Sequence, residues 1–269
     1  MNDTKHETGG RPKTDSPAAH HGPKLPDVDM RERGAPKDGE PQQMDRRLFM
    51  QLLAFRAPAG GDVAAYREAL SAGLRSSGLA GGALGAVIYE DLNDPRGLAL
   101  LSFSENPGDF LDVLRPLFAM EPLRTLEAKP ELTMIGRTYS GGYENDLAFW
   151  ILDRPRQTVL NPEWPWAVWY PLRRTGAFAK LSRKEQGGIL REHATIGRAY
   201  GEKDLAHDVR LACHGIDSAD NEFVVGLVGR TLHPLSHVVQ QMRSTRQTSE
   251  YIQQMGPFFV GRAVWWSHA

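Results

Sequence analysis

From Met44 onward the spacing of apolar residues switches repeatedly between two and about 3.6, and the order of those switches constrains the fold most. Leu48–Phe55 alternates and predicts a strand. Asp62–Ser76 predicts a helix, with Val63, Tyr66, Leu70 and Leu74 on one face. Leu84–Tyr89 and Leu98–Phe103 predict two strands joined by a turn containing Asn93, Asp94, Pro95 and Gly97. Gly108–Met120 reads as a second helix, and Thr133–Tyr139 as the strand after it. That order is β-α-β-β-α-β. It recurs through strands at Leu147–Leu152 and Ala167–Leu172, a helix at Arg183–Tyr200 and strands at Leu205–Ala212 and Glu222–Val228. A helix at Pro234–Met242 and a strand at Phe258–Trp266 complete the second pass, with one strand to spare. The expected class is α+β, two ferredoxin-like halves in tandem.

Residues 1–43 stand apart. They hold six of the 18 prolines and only seven apolar residues, too few to offset the entropy of ordering them. The expected organisation is therefore a disordered tail over 1–43, one half over 44–145 and a second over 146–269. His20 and His21 lie in the tail and read as bystanders, not a metal site. Lys and Arg number 32 against 33 Asp and Glu, so a nucleic-acid footprint is excluded. One cysteine, Cys213, excludes a disulfide framework and an all-cysteine metal cage. The longest apolar runs, such as Ala83–Tyr89, fall far short of the roughly 20 residues that span a bilayer. The first residues also lack the apolar core of a signal peptide. These features predict a soluble, cytoplasmic protein.

Gly78, Gly81, Gly82 and Gly85 imitate a dinucleotide loop, but they follow a helix and precede a strand, the reverse of what phosphate binding needs. The long second-half helix is more informative. Ser182 and Glu185 have capping-box spacing at its start, and Gly201 is placed to stop it. Within it, Ile189, His193, Ile196 and Tyr200 follow at four, three and four residues, which puts His193 in the middle of the buried face beside Gly197. An imidazole there is either a core histidine bonded to a carbonyl or an axial ligand to a metal or heme. Trp150, Trp164, Trp166 and Trp169 read as wall or core aromatics.

Four stretches carry a resemblance. Tyr170-Pro171-Leu172-Arg173-Arg174, Arg191–Tyr200, Met242-Arg243 and Gly256–Gly261 resemble, in the same order, segments of the chlorite dismutase family, including its coproheme decarboxylase branch. The resemblance covers about Trp166–Gly261 and is faint before it. It implies a dimeric α+β barrel-type subunit, a heme pocket in the C-terminal half, His193 as iron ligand and a homo-oligomer, the family's pentamer being typical. Tyr170 stands at the radical-forming tyrosine of the decarboxylase branch. The segment Val224–Val228 carries no carboxylate to pair with the histidine, unlike the chlorite dismutase pattern.

The same resemblance places the distal residue near Asp208, with His207 and Arg210 as further candidates. On a strand, Asp208 and Arg210 share one face and His207 the other. An Asp and an Arg over a heme suit peroxide handling, the carboxylate moving a proton and the cation stabilising negative charge. Arg174, Arg198, Arg243 and Ser249 match positions that contact propionates, and Leu172 shares the sheet face of Tyr170 and Arg174. The implied activity is peroxide-driven oxidative decarboxylation of two propionates of coproheme to give heme b. Porphyrin and hydrogen peroxide are then the partners. A chlorite dismutase or heme peroxidase on the same scaffold is the alternative enzyme, and a non-catalytic heme carrier or sensor the alternative of another class.

Overall fold

A computed structural model describes residues 25–77, 79 and 84–267. The chain divides after Met30, and the second unit, Arg31–Ala269, holds every helix and strand among the described residues. It opens with a two-stranded ribbon, β1 (Glu32–Arg33) against β2 (Gln43–Met44). These residues belong to a stretch whose composition assigns it to a disordered tail. Polar side chains fasten it instead. Gln42 donates through Nε2 to the Ala35 and Glu144 carbonyls at 2.6 and 3.1 Å and accepts from the Leu147 amide at 3.0 Å. Glu32 accepts from Arg137 at 3.2 Å and from the Ser140 amide at 2.9 Å. Hydropathy does not register such ties. The expectations for residues 1–24, His20 and His21 among them, lie outside the described residues, as do Gly78, Gly81 and Gly82.

The elements that follow are β3 (Phe49–Arg56), α1 (Val63–Ser76), β4 (Gly85–Asp91), β5 (Gly97–Ser104), the short β6 (Glu127–Ala128) and β7 (Met134–Arg137). Then come α2 (Arg154–Leu160), β8 (Trp166–Arg174), α3 (Gly176–Ala179), α4 (Arg183–Glu202), β9 (His207–Ala212), β10 (Phe223–Gly229), α5 (Leu232–Arg243), β11 (Ile252–Met255) and β12 (Phe259–Trp266). Strand order is β7-β3-β5-β4 in the first half and β12-β8-β10-β9 in the second, the same 4-1-3-2 arrangement twice. β4 pairs with β12 over five residue pairs, and β7 meets β9 through the single pair Arg137↔Ala212. Eight antiparallel strands thus close a ring, with β6 attached to β3 and β11 to β8. This is the expected α+β architecture of two ferredoxin-like halves.

Alternation along each strand separates the inside of the ring from its outer faces. Inward residues such as Leu52, Val87, Leu101, Trp169, Val209 and Phe259 form one core. The outer face of the first half packs under α1 through Leu70, Leu74, Ile88 and Leu100. That of the second packs under α5 through Val168, Tyr170, Leu227, Leu235 and Val238. Bulky rings fit inside because glycine faces them. Gly226 lies opposite Trp169, and a Cβ there would sit 2.5 Å from the indole.

Three sequence expectations are corrected. Gly108–Met120 is not one helix. It is a wide turn at Phe110–Leu114 followed by a tight one at Arg115–Ala119, because Pro116 lacks the amide a continuous helix needs. Leu147–Leu152 is not a strand but part of a helical run that passes through Phe149–Asp153 into α2. Leu147, Ile151 and Leu152 are buried together on one side, and the Asp146 carboxylate accepts from the Phe149 amide at 3.1 Å. Removing that strand makes the two β-α-β-β-α-β passes match. Finally, α4 starts on the expected Ser182–Glu185 capping box but runs through Gly201, and Asp204 takes the left-handed conformation at φ 54°.

Candidate functional site

The second half carries a cavity of about 430 Å³ on its outer face, bounded by α4, α5 and strands β8, β10 and β9. Register builds its floor. Tyr170 on β8 is paired with Val225 on β10, and Val225 with Arg210 on β9. The neighbouring row is Val168, Leu227 and Asp208. Both rows point away from the ring interior, so a phenol, a guanidinium and a carboxylate share one face with Val225 and Leu227 between them. The roof is Ala194, Gly197 and Arg198 of α4 and Val238 and Met242 of α5. At Gly197 a Cβ would already touch the Met242 methyl at 3.7 Å.

His193 projects from α4 into this cavity. Only Ile189 of its expected apolar face is fully buried; His193, Ile196 and Tyr200 are half-buried, because the helix roofs a cavity rather than a packed core. Its Nδ1 is buried without a hydrogen-bond partner, and Nε2 has none among the described residues. A core histidine would be bonded, so the carbonyl-bonded alternative does not describe this ring. Burial lowers its basicity and Arg210 adds to the effect, while Asp208 and Glu192 oppose it. The imidazole is held neutral near pH 7, as metal ligation requires.

Tyr170 stacks on Phe258 with centroids 4.7 Å apart. Burial drives its phenol well above the ordinary range and Asp208 adds to this, against a smaller opposing pull from Arg243. Asp208 is gripped on both oxygens. Arg154 donates to Oδ1 at 2.8 Å and to the Asp208 carbonyl at 2.9 Å, and the Arg210 Nε lies 3.0 Å from Oδ2. Desolvation would raise this carboxyl, but the charges of Arg210 and Arg154 outweigh it and hold Asp208 ionised. With both oxygens taken, it orients cations more readily than it shuttles protons. His207 reaches the rim but stacks on Trp164 at 3.5 Å and bonds Asp204 at 2.8 Å through Nε2.

Tyr170, His193, Arg198, His207, Asp208 and Arg210 are therefore brought to one cavity, whereas Leu172, Arg174, Arg243 and Ser249 do not line it. Leu172 is buried beside Tyr170 in the core under α5. Arg174 is engaged by Glu222 at 3.1 Å and lies between the rings of Phe178 and Phe223. Arg243 ends α5 in solvent, and Ser249 donates to the Thr245 carbonyl at 2.9 Å. Arg154 is the residue that sequence reasoning missed. Its position depends on α2, and the helical spacing of Leu147 and Ile151 was the available signal.

A ring of two ferredoxin-like halves defines a fold class for which solved counterparts exist. A heme-binding protein from Thermus thermophilus superposes with a TM-score of 0.66 at 19% identity, over 81% of this chain and 91% of that one. Chlorite dismutase from Candidatus Nitrospira defluvii, solved with imidazole, gives 0.65 at 13% identity over 82% and 92%. At such identities the likeness is one of fold. No curated protein matches the chain. The family model for chlorite dismutase matches residues 120–264, more than half of the chain. The chain belongs to the chlorite dismutase family.

Proposed function

We propose that the chain is a heme-dependent oxidoreductase that converts coproheme to heme b, with His193 of the C-terminal half as the iron ligand. The carrying observation is the His193 imidazole, made less basic by burial and without a hydrogen bond at either nitrogen among the described residues, in the same cavity as the buried phenol of Tyr170. An apolar floor and roof of Val225, Leu227, Val238 and Met242 suit a porphyrin face. Each round turns one propionate, one hydrogen peroxide and one proton into a vinyl group, carbon dioxide and two waters. Bound iron supplies the redox chemistry that makes the oxidising power of peroxide available to the protein. Tyr170 is the side chain that gives up its hydroxyl hydrogen and then takes one from the propionate β-carbon. Arg210, steadied by Asp208, offers hydrogen-bond donors and positive charge to bound peroxide, and Arg198 and Arg243 at the periphery offer them to propionates.

The reading includes assembly as a homo-oligomer, the pentamer typical of the family, and a cytoplasmic location. No helix among the described residues is long and apolar enough to cross a membrane. The exposed guanidinium of Arg210 equally suits chlorite, which keeps a chlorite dismutase or peroxidase as the second reading. Mass spectrometry of coproheme incubated with the protein and peroxide separates them. Successive losses that end at heme b support the decarboxylase. Unchanged coproheme with peroxide or chlorite consumed supports the second reading, and binding without turnover a carrier.

A further inference from the structure

Arg154 reaches the site from outside both rows of the cavity floor, on the helical segment that precedes β8. Its guanidinium covers the Trp150 ring at 4.8 Å and spends both Nη atoms on Asp208, one on the side chain and one on the carbonyl. A second cavity of about 310 Å³ lies behind it, with Arg154, Trp150 and His207 shared between the two. The side chain thus lies between two cavities, held by its two hydrogen bonds to Asp208 and by the Trp150 ring. The consequence appears at Arg210. A carboxylate beside an arginine ordinarily takes two donors of the fork at once. Asp208 meets Arg210 only as an ion pair through Nε at 3.0 Å, while its other oxygen accepts from Arg154 at 2.8 Å. Both Nη atoms of Arg210 are left without a hydrogen bond among the described residues, on a half-exposed side chain that lines the cavity.

We infer that Arg154 is a positioning residue: by holding Asp208 it keeps the Nη edge of Arg210 turned to an anion bound in the cavity. The inference rests on the heme reading above, since the anion is one bound to a ferric heme. Without Arg154, Asp208 is free to close on Arg210 as a bidentate pair and withdraw that edge.

The test is titration of the heme-loaded, ferric full-length chain with cyanide, followed by the shift of the Soret band. Arg210→Gln should weaken cyanide by roughly tenfold, the loss expected for one charged hydrogen bond. Arg154→Gln should weaken it by a similar factor, although both Nη atoms of Arg154 are spent on Asp208, and Arg154→Lys should recover part of that loss. In an Asp208→Asn background Arg154→Gln should add less than about twofold, because its effect passes through Asp208. Cyanide affinity that is unchanged in Arg154→Gln overturns the inference. So does a full effect that persists without Asp208. If Arg154→Gln fails to fold, an Arg154→Lys variant with wild-type affinity in the Asp208→Asn background and reduced affinity alone supports it, and equal loss in both overturns it. A wild-type chain that takes up no heme removes the heme reading and the inference with it, before any cyanide is added.

Discussion

Tyr170 combines two properties seldom found in one side chain: a ring fixed by stacking on Phe258 and a hydroxyl that faces a cavity. Tyr170→Phe preserves the first and deletes the second. Coproheme binding should stay within about twofold, while the first decarboxylation falls about 10³-fold or more, checked by binding titration and by product mass. A wall tyrosine would instead cost about 1 kcal/mol of stability and leave turnover intact. Elsewhere Asp94, 5% exposed, accepts from Arg56 at 2.6 Å and Lys129 at 3.2 Å. Burial alone would raise its carboxyl, but Arg56, the Arg96 amide and Lys129 hold it at about 2. The unfolded chain binds that proton near pH 4, so the stabilisation is full above pH 4 and is lost as pH falls towards 2. Asp94→Asn should cost about 2 kcal/mol at pH 7 and almost nothing at pH 2, read from urea midpoints. His193 and Tyr170 stood out as candidates because both sit inside local patterns, helical spacing for one and the family-like Tyr170–Arg174 stretch for the other. Arg154 and Glu222 act across long separations in sequence, and no local pattern announces an arginine whose partner is 54 residues away.

Elements were legible where period and caps agree. The Ser182–Glu185 box marked the start of α4, and strands β3, β5 and β8 fell within a few residues of their alternating runs. The misread segments are those in which apolar residues are dense enough to satisfy both periods. Leu147–Leu152 was one, and its burial as a helix is a tertiary outcome. Within the sheet, Gly226 makes room for Trp169, which is 1% exposed and adjacent to Tyr170. Gly226→Ala should destabilise the protein by about 2 kcal/mol or more through overpacking, seen as a lower urea midpoint. Heme binding should weaken as well, because a displaced Trp169 disturbs the strand that carries Tyr170.

At the scale of the whole molecule, the element order disclosed the paired halves, whereas ring closure depends on β4–β12 and β7–β9 contacts that no short window of sequence contains. The folded unit also begins earlier than composition suggests. A chain beginning at Arg31 should melt close to full length, whereas one beginning at Asp45 loses Glu32 and Gln42 and should melt several degrees lower. Differential scanning calorimetry of the three lengths checks this. The uneven closure of the ring has a consequence for the site. β3 and β5 are joined by eight residue pairs, but β7 and β9 by one, at Ala212. Local opening costs least where the fewest bonds must break, so thermal breathing concentrates at that gap. Asp208 and Arg210 stand four and two residues along β9 from it. The charged wall of the cavity is thus mounted on the most weakly paired side of the frame, where the porphyrin of the proposed reaction would meet a compliant edge.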